Sequence, residues 1–405
     1  MRVAVLGAGF QGTCVALELA ARGVAVDLYD RNDACITQAG RWNEGKIHLG
    51  FVYANDRSLN TSRLMAHGAL TFDRALARWL ETNIASIGVS PPFDYIVHRD
   101  SLLDPEQLVA HFTQVTDYVS SIAAERGLTY LGEDARATSF RISPNNGEVY
   151  DPAVATMVLS TSERTVNTGV LARTLARRVA DDPRINFLPH SEVRGVKRNG
   201  NALDVQVERA GARLADKYDQ VVNCLWDSRR VLDREFGLVD DRPWLFRLKL
   251  GIRLRLKQGT AAIPTTTIVL GSFGDVVRID DRQIYLSWYP VCLAGISSEI
   301  APPPWPRNRT GETAQRIIAE SLAGLGAMVL PLRELTDDMI ESSTVAGGII
   351  AAAGETDIDD PNSRLHMRID VGVCSVDGYH SIDTGKYTLA PMYALEVADR
   401  ICGPR

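Results

Sequence analysis

Three glycines and one acid near the start of the chain have the types and spacing needed to hold a phosphorylated ligand. Gly7, Gly9 and Gly12 are spaced G-x-G-x-x-G, and Asp30 stands 23 positions after Gly7. The first glycine permits a tight turn, the second lets backbone approach a pyrophosphate, and the third lets a helix pack closely on a strand. A helix beginning near Phe10 and Gln11 would turn unpaired N–H groups and a partial positive charge toward the phosphates. Asp30 can accept hydrogen bonds from the adenosine ribose hydroxyls, and its charge disfavours a 2′-phosphate there. The pattern predicts a dinucleotide site. The competing reading is a glycine-rich turn in an ordinary βαβ unit.

The elements needed to place these residues are legible around them. Residues 3–6 are a short apolar run, long enough for one buried parallel strand. Ala16, Leu19 and Ala20 then share a helical face, Gly23 closes the helix, and Val24, Val26 and Leu28 read as a second strand. A lone glycine triad is a weak signal. Here strand, triad, helix and terminal acid fall in register.

The 405 residues exceed what one hydrophobic core usually supports, so two domains are expected. The composition, 45% hydrophobic and 23% charged, is that of a globular protein. A net charge of −6, with no long basic run, argues against a nucleic-acid partner. Six scattered cysteines without C-x-x-C or a His/Cys cluster favour free thiols over disulfides or a metal site. A strand starting at residue 2 and no apolar run of the ~20 residues a membrane helix needs predict a cytoplasmic protein with no membrane span.

The stretch 40–53, GRWNEGKIHLGFVY, has little periodicity and is dense in groups that can bond or approach a flat ligand. Asn43 and Glu44 offer acceptors, Gly45 and Gly50 open backbone, and Lys46 and His48 polar heads. The pattern G-x-G-x-x-G-x3-A-x2-L-A-x2-G-x2-V-x3-D, followed by N-x-G-x-I-H-x-G, resembles the D-amino-acid-oxidase-like family of FAD-dependent oxidoreductases. The resemblance implies an α/β architecture with a doubly wound, Rossmann-like FAD-binding domain built from residues 1–90, 151–240 and 365–405. It implies a second, α+β substrate domain on an antiparallel-rich sheet, from residues 91–150 and 241–364. It assigns Gly7, Gly9, Phe10, Gln11, Gly12, Asp30 and Arg31 to the nucleotide half of FAD, and Arg41, Asn43, Gly45, Lys46 and Ile47 to the flavin half. His48 would sit near the reactive edge, the alternative being a histidine that only bonds a turn.

Further along, helical spacing predicts helices over 61–82, from Asp104-Pro105 onward, over 168–179 and over 311–325. Residues 138–150 carry no clear pattern. A strand at 185–188, a polar-tipped meander and a return strand at 220–225 match the family's second cofactor segment, where Val193 would meet the adenine. The family usually has a small residue and glycine after the return strand. This chain has Leu225 and Trp226, so Trp226 either packs over the cofactor or belongs to the core. From residue 244 the pattern turns antiparallel. Arg247, Lys249, Arg253 and Arg255 share one period-2 face, which could hold a carboxylate, although a solvated outer face is the more ordinary reading. The closing segment reads strand, loop, helix, and there the resemblance places Gly385, Lys386, Tyr387 and Thr388 against the flavin. Lys386 would stabilise the negative charge of a reduced flavin. Cys374 is a minor candidate for covalent attachment, and non-covalent FAD is expected.

These expectations converge on removal of hydride from a C–N or C–O bond of a small molecule, with oxygen or another electron acceptor as the oxidant. His48, Tyr379, His380 and Lys386 are the polar candidates for the reacting pocket. A flavin monooxygenase or halogenase, and a non-catalytic dinucleotide-binding protein, are the competing functions. Oligomeric state is not readable from the sequence.

Overall fold

The computed structural model describes residues 1–260 and 263–404. Its first strand β1, Arg2–Leu6, leads through the glycine turn into helix α1, Phe10–Ala21, and back into strand β2, Ala25–Tyr29. Residues 3–6 are fully buried, because a central parallel strand is covered on both faces. Around this unit a six-stranded sheet runs in the order Ile185–Leu188, β2, β1, Gln220–Asn223, Tyr379–Asp383, Gly372–Val376. The first five strands are parallel, and the last closes as an antiparallel hairpin. One face packs on α1 and on helices Asn60–Leu80, Thr168–Asp181 and Ala390–Cys402. The other face packs on the antiparallel strands Ser191–Asn199, Ala202–Arg209 and Ala212–Tyr218.

The second sheet has ten strands and is antiparallel except where Thr266–Val269 runs beside Asp94–His98. Its spine is Trp244–Leu256, paired along its length with Ile340–Ala353. Alternation along that spine does the sorting. Phe246, Leu248, Leu250, Ile252 and Leu254 enter a core that also holds Ile317 and Leu325 of helix Gly311–Gly326. Arg247, Lys249 and Arg253 take the opposite face. That face is not solvated: Arg247 is only 2% exposed, and Arg253 donates to the carbonyl of Arg41 at 2.5 Å and to Thr168 Oγ1 at 2.7 Å. Only Arg255, paired with Glu341 near the strand end, behaves as a surface cation.

Three further differences have local causes. Residues 140–143 form an edge strand whose half-exposed sequence gave no alternation to read. Ile340–Ala353 begins polar and ends in a run of small residues, so its pattern is set by its partner strand. Ala155–Thr161 pairs in the ten-stranded sheet, beyond the division expected at 151. Two helix starts follow their capping chemistry. Asn167 accepts from the Gly169 and Val170 amides at the start of Thr168–Asp181. Asp104 caps Pro105–Arg126 in a capping box with Gln107, and Gly127 ends that helix in the left-handed conformation.

Candidate active site

The glycine turn lies at the carboxyl end of β1, where open α/β sheets bind their ligands. Gly7 has φ +95°, and a Cβ on Gly12 would collide with the Gly7 carbonyl oxygen. A Cβ on Gly9 would meet no atom within 4 Å. At Gly9, therefore, the absent side chain leaves open space rather than relieving a clash. No side chain caps α1, so its first-turn N–H groups are available to an anion. Asp30 fixes the turn as well as facing the cleft. Its Oδ2 accepts from the Ala8 amide at 2.7 Å, and its Oδ1 accepts from Asn32 N at 2.8 Å and Nδ2 at 2.7 Å.

A long cleft runs from this turn into the space under the larger sheet. Residues 30–32 and 191–193 line one end, Gly7, Gly9, Phe10, Gln11 and residues 224–228 the middle, and residues 384–387 with Lys46, His48, Arg247 and Arg368 the other end. Trp226, at φ +57°, takes a backbone conformation that glycine adopts without strain, and its indole N–H donates to the Ile349 carbonyl at 2.7 Å. The tryptophan is thus pinned to the second sheet and forms part of the cleft wall.

The inner end of the cleft is dense in charge. Lys46 donates to Thr267 and pairs with Asp275, which also accepts from Lys249 at 3.4 Å. Burial alone would raise the Asp275 pKa, but Lys46 and then Lys249 hold it far below the usual carboxylate range. Burial alone would lower Lys249, and Glu44 and Asp275 more than reverse that. Arg247 is held by Tyr289 Oη at 3.0 Å and Asp357 Oδ1 at 2.7 Å.

Two cations there have no such partner. Arg368, 7% exposed, donates from Nη1 to the Met367 carbonyl, leaves Nε without a partner, and has no ion pair among the described residues. Burial, and then Arg247, push it down to about 10. The Lys386 ammonium lies 5.8 Å from the Tyr53 ring centroid and has neither hydrogen bond nor ion pair among the described residues. Burial, and then Arg368, push it down to about 7. His48 donates its backbone N–H to Thr388 Oγ1 at 3.1 Å, and its buried Nδ1 lies 3.7 Å from Glu163 Oε2.

Of the residues expected at the site, Gly7, Gly9, Phe10, Gln11, Asp30, Arg31, Asn43, Lys46, His48, Val193, Trp226, Gly385, Lys386 and Tyr387 line this cleft. Gly12, Arg41, Gly45, Ile47 and Thr388 stand one layer behind it. Gly12 backs the turn, and Arg41 offers its carbonyl to Thr168 and Arg253. Gly45, at φ +74°, lies against the Val166 carbonyl, Ile47 is buried in a short strand, and Thr388 receives the His48 N–H.

Tyr379 and His380 do not reach the cleft. They begin a strand whose far end meets it, and being adjacent they point to opposite faces. Tyr379 donates to Asp233 Oδ1 at 2.8 Å and stacks on Phe236. His380 bonds Ser375 and Gln220, and burial, then Arg400, lower it to about 4. Cys374 is exposed on the edge strand and does not line the cleft. Glu163, Asp275 and Arg368 were not anticipated. No motif marks them, and only folding brings them beside residues 44–50. Arg247 and Lys249 did leave a signal, the charged period-2 face of their strand.

The sequence matches the DAO family, described as FAD dependent oxidoreductase, over residues 2–325. The chain belongs to the DAO family. As a DAO-family member it is an FAD-dependent oxidoreductase, and three features of the cleft fit such a cofactor: the Asp30 carboxylate, which could accept from a ribose, the uncapped N–H groups of α1, which could meet a pyrophosphate, and the open backbone at Gly9. Solved DAO-family-like folds similar to this chain include glycine oxidase from Geobacillus kaustophilus (TM-score 0.67, 15% identity, 100% of this chain and 95% of that one). L-proline dehydrogenase from P. horikoshii is similar at TM-score 0.66 and 14% identity, over 99% and 93% of the two chains. Iminodiacetate oxidase from Chelativorans sp. BNC1 follows at 0.64 and 14%, over 100% and 96%. At such identities the likeness is one of fold. No curated protein matches the chain. Among the described residues no helix is long and apolar enough to cross a membrane.

Proposed function

We propose that this DAO-family enzyme oxidises a small anionic molecule at a C–N or C–O bond, with an amine carrying a carboxylate as the best fit. One observation carries the reading: Arg368 and Lys386 line the inner cleft with no ion pair among the described residues, Asp383 and Glu44 acting on them only from beyond salt-bridge distance. Buried cations left unpaired are costly, and an anionic ligand supplies the missing charge. The compounds named for the similar structures, glycine, proline and iminodiacetate, each carry a carboxylate as well as an amine nitrogen. When bound, FAD supplies the hydride acceptor. The chain's own residues do the remainder. Arg368 and Lys386 hold the anion and so fix which carbon is presented. Arg247, tied to Asp357 and Tyr289, adds a fixed positive charge beside Arg368. The dry, cation-rich surroundings favour the neutral amine over the ammonium, as oxidation requires.

The test is anaerobic mixing of the FAD-loaded protein with matched pairs of compounds, an amino or hydroxy acid against the same amine or alcohol without its carboxylate. Loss of the oxidised-flavin absorbance is expected with the acids. Equal or faster loss with the partners that lack the carboxylate removes the anion-holding role. Peroxide formed on admitting air separates an oxidase from a dehydrogenase with another acceptor.

A further inference from the structure

Glu163 is a fully buried carboxylate to which no motif points. Oε1 accepts from the backbone amides of Leu49 and Gly50, the latter at 3.2 Å, and Oε2 accepts from the Tyr95 hydroxyl. All three donors are uncharged, so none of them balances the charge of an ionised carboxylate. Burying a charge is expensive unless an opposite charge can answer it. The one basic group paired with Glu163 among the described residues is His48, its Nδ1 3.7 Å from Oε2. That nitrogen is buried and has no hydrogen-bond partner. Nε2 also lacks a protein partner among the described residues but is not closed off, and the ring lines the cleft. The ring stands edge-on to Tyr53 at 5.7 Å, which limits its rotation.

We propose that Glu163 is a positioning residue for His48. A small approach of the two side chains lets the Nδ1–H donate a hydrogen bond to Oε2. This fixes the tautomer that leaves the Nε2 lone pair toward the cleft. Nε2 then takes a proton from a substrate N–H or O–H, and the imidazolium so formed is balanced by the buried carboxylate. The inference rests on the cleft being the reaction site, but its first readout needs no substrate.

The experiment is nitrogen NMR of the FAD-loaded protein with ¹⁵N-labelled histidine, the His48 signals being identified by their loss in His48→Asn. The wild type is expected to carry the proton on Nδ1. Glu163→Gln, whose amide N–H would face the ring, is expected to move it to Nε2. The same variant should slow flavin reduction by a working substrate by roughly 10²–10⁴-fold, the range for a misplaced general base, with its FAD content unchanged. An Nε2–H tautomer in the wild type overturns the proposal, as does a Glu163→Gln protein with tautomer and rate both unaltered. Should that variant not fold, the wild-type tautomer alone decides. An Nδ1–H tautomer in a protein that no anionic amine reduces would leave this inference standing and sink the proposed substrate class.

Discussion

Lys386 shows how strongly a single residue's surroundings can redirect it. An ammonium on the surface stays charged to about pH 10.4, but burial and the neighbouring Arg368 bring Lys386 to about 7. The sign of the consequence differs between binding and folding. Below pH 7 the side chain is charged and can hold an anion. Above it the free protein releases the proton, so anion binding must take one up, and affinity falls. An inert carboxylate that perturbs the flavin spectrum should therefore bind progressively more weakly above pH 7, by up to about tenfold per pH unit. Lys386→Met should flatten that profile, and an unchanged slope in the variant would assign the dependence elsewhere. For folding, the unfolded chain binds more protons than the native one between about pH 7 and 10.4, so this group's contribution makes unliganded stability rise with pH across that window.

At the scale of elements, α1 is the piece on which the cofactor site depends, and it is anchored by charge inside the core. Glu18, fully buried, accepts from Arg22 Nε at 2.8 Å and from the Trp79 indole at 2.9 Å, and it pairs with Arg78 of the helix Asn60–Leu80. Removing one member of a buried, hydrogen-bonded ion pair strands the others. Glu18→Ala should destabilise the protein by about 3–5 kcal/mol, read as a lower urea midpoint at unchanged slope. A loss under about 1 kcal/mol would mean that water reaches these groups and α1 is held by apolar packing alone. The same α1 carries Gly12, whose missing Cβ lets the helix sit against the glycine turn.

Across the whole molecule, the two sheets meet at the cleft, and polar ties as well as apolar packing join them. Arg307, next to the strand Asn308–Arg309 of the larger sheet, donates to Gln38 Oε1 at 2.6 Å and to Asp227 Oδ2 at 2.5 Å. Asp227 also pairs with Arg31, which follows β2, and all four residues line the cleft. These bonds are partly exposed, so each contributes modestly. Arg307→Ala should speed FAD release on dilution about 3–10-fold, followed by the rise in free-flavin fluorescence. The difference should shrink in high salt. An unaltered release rate would show that the tie plays no part in holding the cofactor.

The sequence alone determined the cofactor half of this protein, because that half is written in short-range rules. Gly7, Gly9, Gly12 and Asp30 lie within one βαβ unit, where spacing along the chain becomes position in space with little freedom left. The helix 105–126 was announced by its own cap, and the spine 244–256 by its alternation. Only the tertiary structure decided the charged inner end of the cleft. The burial of Arg247 depends on a second sheet folding over its strand, and the unpaired state of Arg368 on what lies opposite it. Tyr379 and His380 take opposite faces of an interior strand, away from the cleft, because the cleft begins at the end of that strand, a distance no local pattern encodes. Glu163 stands beside His48 although 115 residues separate them in the chain. Charge pairing across such separations is set by packing, and packing is where the sequence stops speaking locally.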